Sequence, residues 1–359
     1  MIFKSKFASK NRVLCALARQ KPDRIPINYS ANPGINAKLC THFNAKTNEE
    51  LLCSLGVDIR GAGAPYQGAR LHPEIPERQV DPLWGIRTKW IEHGAGGYWD
   101  YCDFPLREAS LEEIEQWPIP SPDDFDYGKL VEAARSKQQY AVHYGGPGLG
   151  DCINSTGMLR SMEEVLVDMI TENPAGLRLM DRKIELQLEV ARRSLEAARG
   201  LIDFLWIGED LGTQNGPMVS LELFRSQIRP RLQKFVDLAK SFSLPVLIHS
   251  CGSSSWAFPD FIEMGIAGVD TLQPEAKDMS PRFLKENFGG RLAFHGGIST
   301  AEPLTNGNPE EVRKYCQESI GIMAEGGGYI FAPTHQIQDN TPLENALSMY
   351  EAAAEFCKT

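Results

Sequence analysis

The stretch that decides the fold is FLWIGED at residues 204–210, followed after a helical pattern by PVLIHSC at residues 245–251. Each begins with apolar residues and ends in polar or reactive side chains, as the strands of a buried parallel sheet do. Between them, residues 221–241 have apolar side chains at helical spacing after Ser220, a residue type that favours helix starts. This strand–helix–strand unit predicts that reactive side chains gather where the strands end.

The same unit recurs along the chain. Eight short apolar runs are predicted as parallel strands: residues 25–30, 57–61, 140–145, 204–210, 245–251, 268–273, 292–297 and 328–333. A strand followed by a helix, eight times, predicts an α/β fold with a single (β/α)8 TIM barrel over residues 1–359. An open doubly wound sheet is the alternative, but the chain lacks the GxGxxG turn that often accompanies it.

Several helix starts can also be located. The clearest helical pattern covers residues 174–199, and another covers residues 309–324 after Asn308. Thr341 and Glu344 predict a capping box for the last helix.

An insertion at residues 78–108 interrupts the alternation of strands and helices. It contains WGIRTKWIEHGAGGYWDY and is predicted to form a β-hairpin that turns at Gly94, Ala95, Gly96 and Gly97.

Composition narrows the classes of function. The chain has 359 residues and a net charge of −10, which argues against general binding to nucleic acid or to anionic membranes. No apolar run approaches the roughly 18 residues that a membrane span requires, and residues 1–20 lack the apolar core of a signal peptide. Eight cysteines without a CxxC pair suit reduced thiols better than disulfides. We therefore expect a cytoplasmic protein that acts on a small molecule.

Reactive side chains cluster at one end of the predicted barrel. Active sites of such barrels lie at the carboxyl ends of the strands. His143, His249, His295 and His335 all fall at that end, out of seven histidines in the chain. We expect the active site there, and we assign no role to His143.

The sharpest pattern within this cluster is His249-Ser250-Cys251. On an extended strand, residues i and i+2 project from the same face with Cα atoms about 6.6 Å apart. An imidazole and a thiolate so arranged can share one metal ion, and mixed nitrogen and sulfur ligands favour zinc. The alternative is that Cys251 is simply buried and His249 is a hydrogen-bonded histidine of the barrel.

A zinc site that binds substrate needs a third protein ligand. His335 is the predicted third ligand, and Glu209, Asp210 and His295 are the other candidates. These last three are otherwise predicted as catalytic residues. For Glu209 and Asp210 the alternative is that they cap the loop after the strand.

Six segments resemble the uroporphyrinogen-decarboxylase-like superfamily, in order and over essentially the whole chain. They are NRVLCALARQKPDRIPI (11–27), the loop at 145–150, GEDLGTQNGPMVS (208–220), HSCGS (249–253), FHGGIS (294–299) and GGYIFAPTHQIQDNTPLEN (327–345). The resemblance implies the same barrel fold.

Two branches of that superfamily differ in chemistry. Its porphyrinogen decarboxylases need no metal and grip substrate carboxylates with an arginine-rich loop after the first strand. Residues 28–34 (NYSANPG) contain no arginine, although His335 matches a histidine of those enzymes. Its cobalamin-dependent methyltransferases, which include methylcobalamin:coenzyme M methyltransferases, hold zinc with a His-x-Cys pair and a later Cys. His249 and Cys251 match the pair, and His335 stands where the later Cys would be.

The resemblance therefore implies a zinc-dependent methyltransferase. Such an enzyme moves a methyl group between a small thiol, ether or alcohol and a corrinoid. The chain has no DxHxxG-type corrinoid-binding module, so the corrinoid is expected on a partner protein. The alternatives are a metal-independent decarboxylase or lyase acting on a carboxylated ring, and a barrel used only for binding.

Overall fold

The computed structural model describes residues 8–93 and 96–356. The strands in these residues are β1 (Ile59–Gly61), β2 (Gln79–Val80), β3 (Arg87–His93), β4 (Gly96–Tyr101), β5 (Ala141–Gly145), β6 (Phe204–Gly208), β7 (Val246–Ser250), β8 (Gly268–Thr271), β9 (Ala293–Ile298) and β10 (Tyr329–Pro333). Seven of them form a curled parallel sheet in the order β1-β5-β6-β7-β8-β9-β10. Apart from the inserted β2–β4, each strand therefore pairs with the next one along the chain.

The register of this sheet aligns polar side chains in its middle. Every residue of β6 and β9 is buried, which agrees with their nearly continuous apolar sequences. His249 of β7 lies opposite Asp270 of β8, and Asp270 lies opposite His295 of β9. Three ionisable side chains on adjacent strands are thus brought side by side by backbone pairing.

The segment at residues 25–30 departs from the prediction of eight strands. Only Ile27 forms a bridge, parallel to Phe331 of β10. On its other side, the Ile27 N–H donates to the Asp58 side chain at 2.9 Å, where a strand would use a backbone carbonyl. The Asp58 N–H in turn donates to the Ile27 carbonyl. Because a carboxylate replaces part of the backbone ladder, this segment connects the two edges of the sheet without counting as a strand.

Three helices precede β1, and the others lie between later strands or after β10. The helices are α1 (Ser9–Leu17), α2 (Pro33–Phe43), α3 (Asn48–Leu55), α4 (Leu111–Gln116), α5 (Tyr127–Ser136), α6 (Ile153–Arg160), α7 (Met162–Thr171), α8 (Pro174–Ala197), α9 (Leu221–Leu223), α10 (Arg229–Ser241), α11 (Phe258–Met264), α12 (Pro281–Phe288), α13 (Pro309–Met323) and α14 (Leu343–Phe356). The helix predicted at residues 221–241 contains a π-helical turn, Phe224–Ile228, between α9 and α10.

Two predicted helix starts had different outcomes. Asn308 caps α13 and forms a capping box with Glu311. The capping box predicted at Thr341 is wrong, because the Thr341 hydroxyl is buried without a hydrogen-bond partner. The first turn of α14 closes instead on the Pro342 carbonyl, which accepts from the N–H groups of Asn345 and Ala346.

Strands β2, β3 and β4 form a separate antiparallel sheet. Trp90 of β3 lies opposite Trp99 of β4 with ring centroids 5.6 Å apart, and both side chains are about half exposed. Of the predicted turn, Gly96 and Gly97 belong to β4, and residues 94–95 lie outside the described residues.

Helix α1 covers the amino-terminal end of the parallel sheet. Its Val13, Ala16 and Leu17 pack in one apolar cluster with Ile59 and Phe204, near the starts of β1 and β6. The carboxyl ends of the strands are left to the loops that follow them. None of the helices within residues 8–93 and 96–356 is both long enough and apolar enough to cross a membrane.

Candidate metal centre

Three possible metal ligands converge at the carboxyl ends of β6 and β7. Asp210, His249 and Cys251 each have a ligand atom within 4.8 Å of those of the other two. His249 Nε2 lies 3.3 Å from Cys251 Sγ and 3.6 Å from Asp210 Oδ1. All three side chains are partly buried. The predicted pair of His249 and Cys251 is therefore accompanied by a carboxylate.

The Asp210 carboxylate is fixed by two hydrogen bonds. Its Oδ1 accepts from the Cys251 N–H at 2.8 Å, and its Oδ2 accepts from Asn154 Nδ2 at 2.8 Å. The first bond ties Asp210 to the loop of the neighbouring strand, so the carboxylate and the thiol are positioned together.

His249 is oriented by β8. Its Nδ1 lies 2.6 Å from Asp270 Oδ2 and 2.6 Å from Thr271 Oγ1. Because a carboxylate only accepts, Nδ1 carries a proton, and Nε2 faces Cys251 and Asp210. Burial lowers the pKa of His249, but hydrogen bonds to Asp270 and Cys251 outweigh it and raise that pKa well above its usual value. A carboxylate behind a histidine is the support that metal-binding imidazoles usually have.

Asp270 serves a second histidine. His295 Nδ1 lies 2.5 Å from Asp270 Oδ1, and His295 Nε2 lies 2.9 Å from Asn28 Nδ2. The His295 ring therefore lies between the Asp270 carboxylate and the Asn28 amide. Burial raises the pKa of Asp270, but the charges and hydrogen bonds of His295 and His249 outweigh it and lower that pKa well below its usual range. Asp270 therefore stays ionised between two imidazoles.

Glu209 does not join this group. Its carboxylate is buried and accepts from the N–H groups of Cys152, at 2.7 Å, and Ile153, at 3.3 Å, at the start of α6. Burial, followed by the charge of Asp151, raises the pKa of Glu209 well above its usual value. Its placement fits the alternative of a capping residue better than a catalytic one.

His335 does not join the group either. It follows β10, is exposed, and lines a cavity of about 360 Å³ that also contains Cys251. In the part of the chain that the structure describes, the cluster of possible metal ligands contains Asp210 where sequence reasoning expected His335. The role of His335 as a ligand stays a prediction.

His143 lines the cavity that also contains His249 and His295. Its Nδ1 is 3.1 Å from the Gly145 carbonyl, and its ring centroid is 5.0 Å from that of Trp206. Burial lowers the pKa of His143 to about 4, so the ring is neutral at pH 7.

Two cavities meet at His249. One, of about 620 Å³, is lined by His143, Trp206 and His295. The other, of about 560 Å³, is lined by Asp210 and by Tyr101 of the antiparallel sheet. The candidate ligands are thus accessible from two sides.

Sequence reasoning missed three supporting residues, Asp270, Thr271 and Asn154. Asp270 and Thr271 fall within a predicted strand, at residues 268–273, that ends at the same edge as His249. Two polar residues in an otherwise apolar strand of a barrel could have indicated their role in the site. Asn154 lies at the start of α6 and had no comparable signal.

Comparison with known proteins shows the family to which the chain belongs. Residues 112–356 match the family model described as uroporphyrinogen decarboxylase (URO-D). The chain belongs to this family. A methylcobamide:CoM methyltransferase MtaA from Methanosarcina barkeri strain Fusaro is 23% identical over 98% of this chain and 99% of its own length. A second such MtaA from Methanosarcina barkeri is 26% identical over the same shares.

A solved structure has a similar fold. A methyltransferase from Methanosarcina mazei superposes with a TM-score of 0.64 at 19% identity, over 98% of this chain and 99% of that one. The full-length resemblance is therefore to the methyltransferase branch of the family, as the sequence analysis predicted.

Proposed function

We propose that the chain is a zinc-dependent methyltransferase that moves a methyl group between a small substrate and a corrinoid carried by a partner protein. The observation that carries the proposal is the convergence of Asp210, His249 and Cys251 at the carboxyl ends of the strands, where barrel enzymes do their chemistry. The relatives are named methylcobamide:CoM methyltransferases, and these names support both the methyl transfer and the corrinoid.

The three side chains fit zinc in both type and spacing. Nitrogen, sulfur and oxygen ligands are those that zinc takes. Two ligands on one tetrahedral zinc ion lie roughly 3.3–3.6 Å apart, given usual bond lengths of about 2.0–2.3 Å. The separations from His249 Nε2 to Cys251 Sγ, 3.3 Å, and to Asp210 Oδ1, 3.6 Å, are close to this range. Three protein ligands leave one position for substrate.

A zinc ion held there supplies a Lewis acid that keeps a substrate thiol deprotonated or polarises an ether or alcohol oxygen. The protein's own residues prepare that site. Asp270 and Thr271 hold the Nδ1 proton of His249, so that Nε2 presents its lone pair. Asn154 and the Cys251 N–H hold Asp210 beside it.

We assign positioning roles to the other predicted catalytic residues. His295 acts through Asp270, because its Nδ1–H shares the carboxylate that orients His249. Glu209 acts through α6, because it accepts from the first amides of the helix that carries Asn154. Asp210 is proposed as the third ligand, in place of the exposed His335.

Zinc content and methyl transfer test this proposal together. Protein purified without added metal is expected to hold about one zinc per chain and to transfer methyl from methylcobalamin to a small thiol. His249→Ala and Cys251→Ala should lose both properties, and Cys15→Ala, a thiol on α1, should keep both. Wild-type protein that neither contains zinc nor binds added zinc contradicts the proposal.

A further inference from the structure

The charge lining the larger cavity defines a class of substrate. This cavity, of about 620 Å³, runs from His249 past Trp206 and His295 to α3 and the loop after β10. Its volume is that of an ordinary small-molecule pocket. A bound molecule that reaches the candidate metal ligands from this side has to place the rest of its atoms here.

Arg60 is the only arginine or lysine among the described residues that line this cavity. All five of its N–H donors have partners. Nε and Nη2 bind the two Glu49 oxygens at 2.8 and 2.9 Å, Nη1 binds the carbonyls of Val57 and Ile59, and Nη2 also contacts Cys53 Sγ at 3.9 Å. Its guanidinium is also neutralised by Glu49 and stacks on Tyr140 at 3.8 Å. Arg60 therefore has no donor left for an anionic ligand.

The Asp270 carboxylate also lines this cavity. Its described hydrogen-bond partners are His249, His295 and Thr271, with no arginine or lysine among them. The segment 28–34, which enters the same cavity at Asn28 and Tyr29, contains no cation either.

We infer that the larger cavity selects a substrate whose body is uncharged or cationic and excludes one that carries a carboxylate or sulfonate. An anionic group placed in this cavity loses its hydration, meets no unpaired arginine or lysine among the described residues, and lies near the Asp270 carboxylate. A neutral or quaternary ammonium group avoids both costs, and the aromatic faces of Trp206 and Tyr29 are compatible with it. The inference rests on the proposed function and specifies its substrate.

Three small thiols that differ in charge test the inference. Cobalt(II)-loaded protein is titrated with mercaptopropionate, mercaptopropanol and thiocholine, and binding is followed by the thiolate-to-cobalt absorption. Each affinity is referred to the thiolate form, so that the different thiol pKa values do not contribute. Mercaptopropanol and thiocholine should bind about ten-fold more tightly than mercaptopropionate, or better.

A matched pair of variants tests the role of Arg60. Glu49→Gln leaves Arg60 uncompensated and should raise the affinity for mercaptopropionate about five-fold, with little change for mercaptopropanol. Glu112→Gln removes the same charge from the exposed helix α4 and should change neither. Equal or tighter binding of mercaptopropionate by the wild type overturns the inference and leaves the proposed function standing. If none of the three thiols binds the cobalt-loaded protein, the proposed function fails, and the inference fails with it.

Discussion

The two ends of the parallel sheet differ in the groups that bind their carboxylates. At the amino-terminal end, Asp58 is fully buried and accepts from Arg12 at 2.6 Å and from Arg24 at 2.7 and 2.8 Å, besides Ser9 and the Ile27 N–H. At the carboxyl-terminal end, Asp270 and Asp210 are bound by imidazole, hydroxyl and amide groups, with no arginine or lysine among their described hydrogen-bond partners.

This difference separates stability from chemistry. Asp58 is neutralised by permanent cations and has no capacity left for a ligand. Asp270 orients His249 through Nδ1, and Nε2 lies beside a thiol and a second carboxylate. Barrels commonly place stabilising interactions at the amino-terminal face and reactive groups at the other. We therefore expect that a change at one end of the sheet leaves the function of the other end unaltered.

The largest effect is expected at the amino-terminal end. Asp58→Asn removes the buried carboxylate that Arg12 and Arg24 both bind, and we expect the free energy of unfolding to fall by about 3–5 kcal/mol. Urea denaturation measures this loss, and zinc content should be unchanged. Asp237→Asn, at an exposed position of α10, should stay within about 0.5 kcal/mol of the wild type. Zinc loss in folded Asp58→Asn would mean that the two ends are not independent.

Acid should destabilise the folded chain through His143, which lines the cavity that also contains His249. Its pKa is about 4 in the folded chain and near 6.5 when unfolded, so the unfolded chain binds more protons between these values. This part of the stability is complete above pH 6.5 and is lost as the pH falls towards 4. With a chelator present, the wild type should lose about 3 kcal/mol more than His143→Gln across this window. If the free energy of unfolding of the two proteins changes equally with pH, the lowered pKa of His143 is contradicted.

A smaller effect is expected when the support of His249 is weakened. Asp270→Asn should lower zinc affinity about 10- to 100-fold, because an amide no longer fixes the Nδ1 proton as a carboxylate does. Chelator competition measures the affinity, and Asp278→Asn, at an exposed position after β8, is the matched control. Unchanged zinc affinity in Asp270→Asn would mean that the Asp270 carboxylate does not support zinc binding.

The sequence predicted those features that depend on local periodicity. Seven of the parallel strands follow from apolar runs that end in polar residues, and the shared face of His249 and Cys251 follows from the two-residue period of a strand. The segment at residues 25–30 also has an apolar run. Whether it becomes a strand depends on the Asp58 side chain, which intercepts the Ile27 N–H, and no local pattern contains that information.

The choice between Asp210 and His335 as a third ligand could not be made from the sequence for a similar reason. His335 and Asp210 both follow strands of the barrel, and the sequence does not give the direction in which each loop turns. The structure turns Asp210 towards Cys251 through a backbone hydrogen bond from the neighbouring loop, while His335 stays exposed. The link from His249 through Asp270 to His295 depends on the register of three strands, which becomes visible only in the folded sheet.

The zinc affinities of Asp210→Asn and His335→Ala, measured side by side with the wild type by chelator competition, test the central claim most directly. The geometry predicts that Asp210→Asn weakens zinc binding by at least about ten-fold, because the carboxylate is one of three converging ligands. It predicts that His335→Ala binds zinc as the wild type does. Full zinc affinity in Asp210→Asn together with loss of zinc in His335→Ala would contradict the claim and make His335 the third ligand.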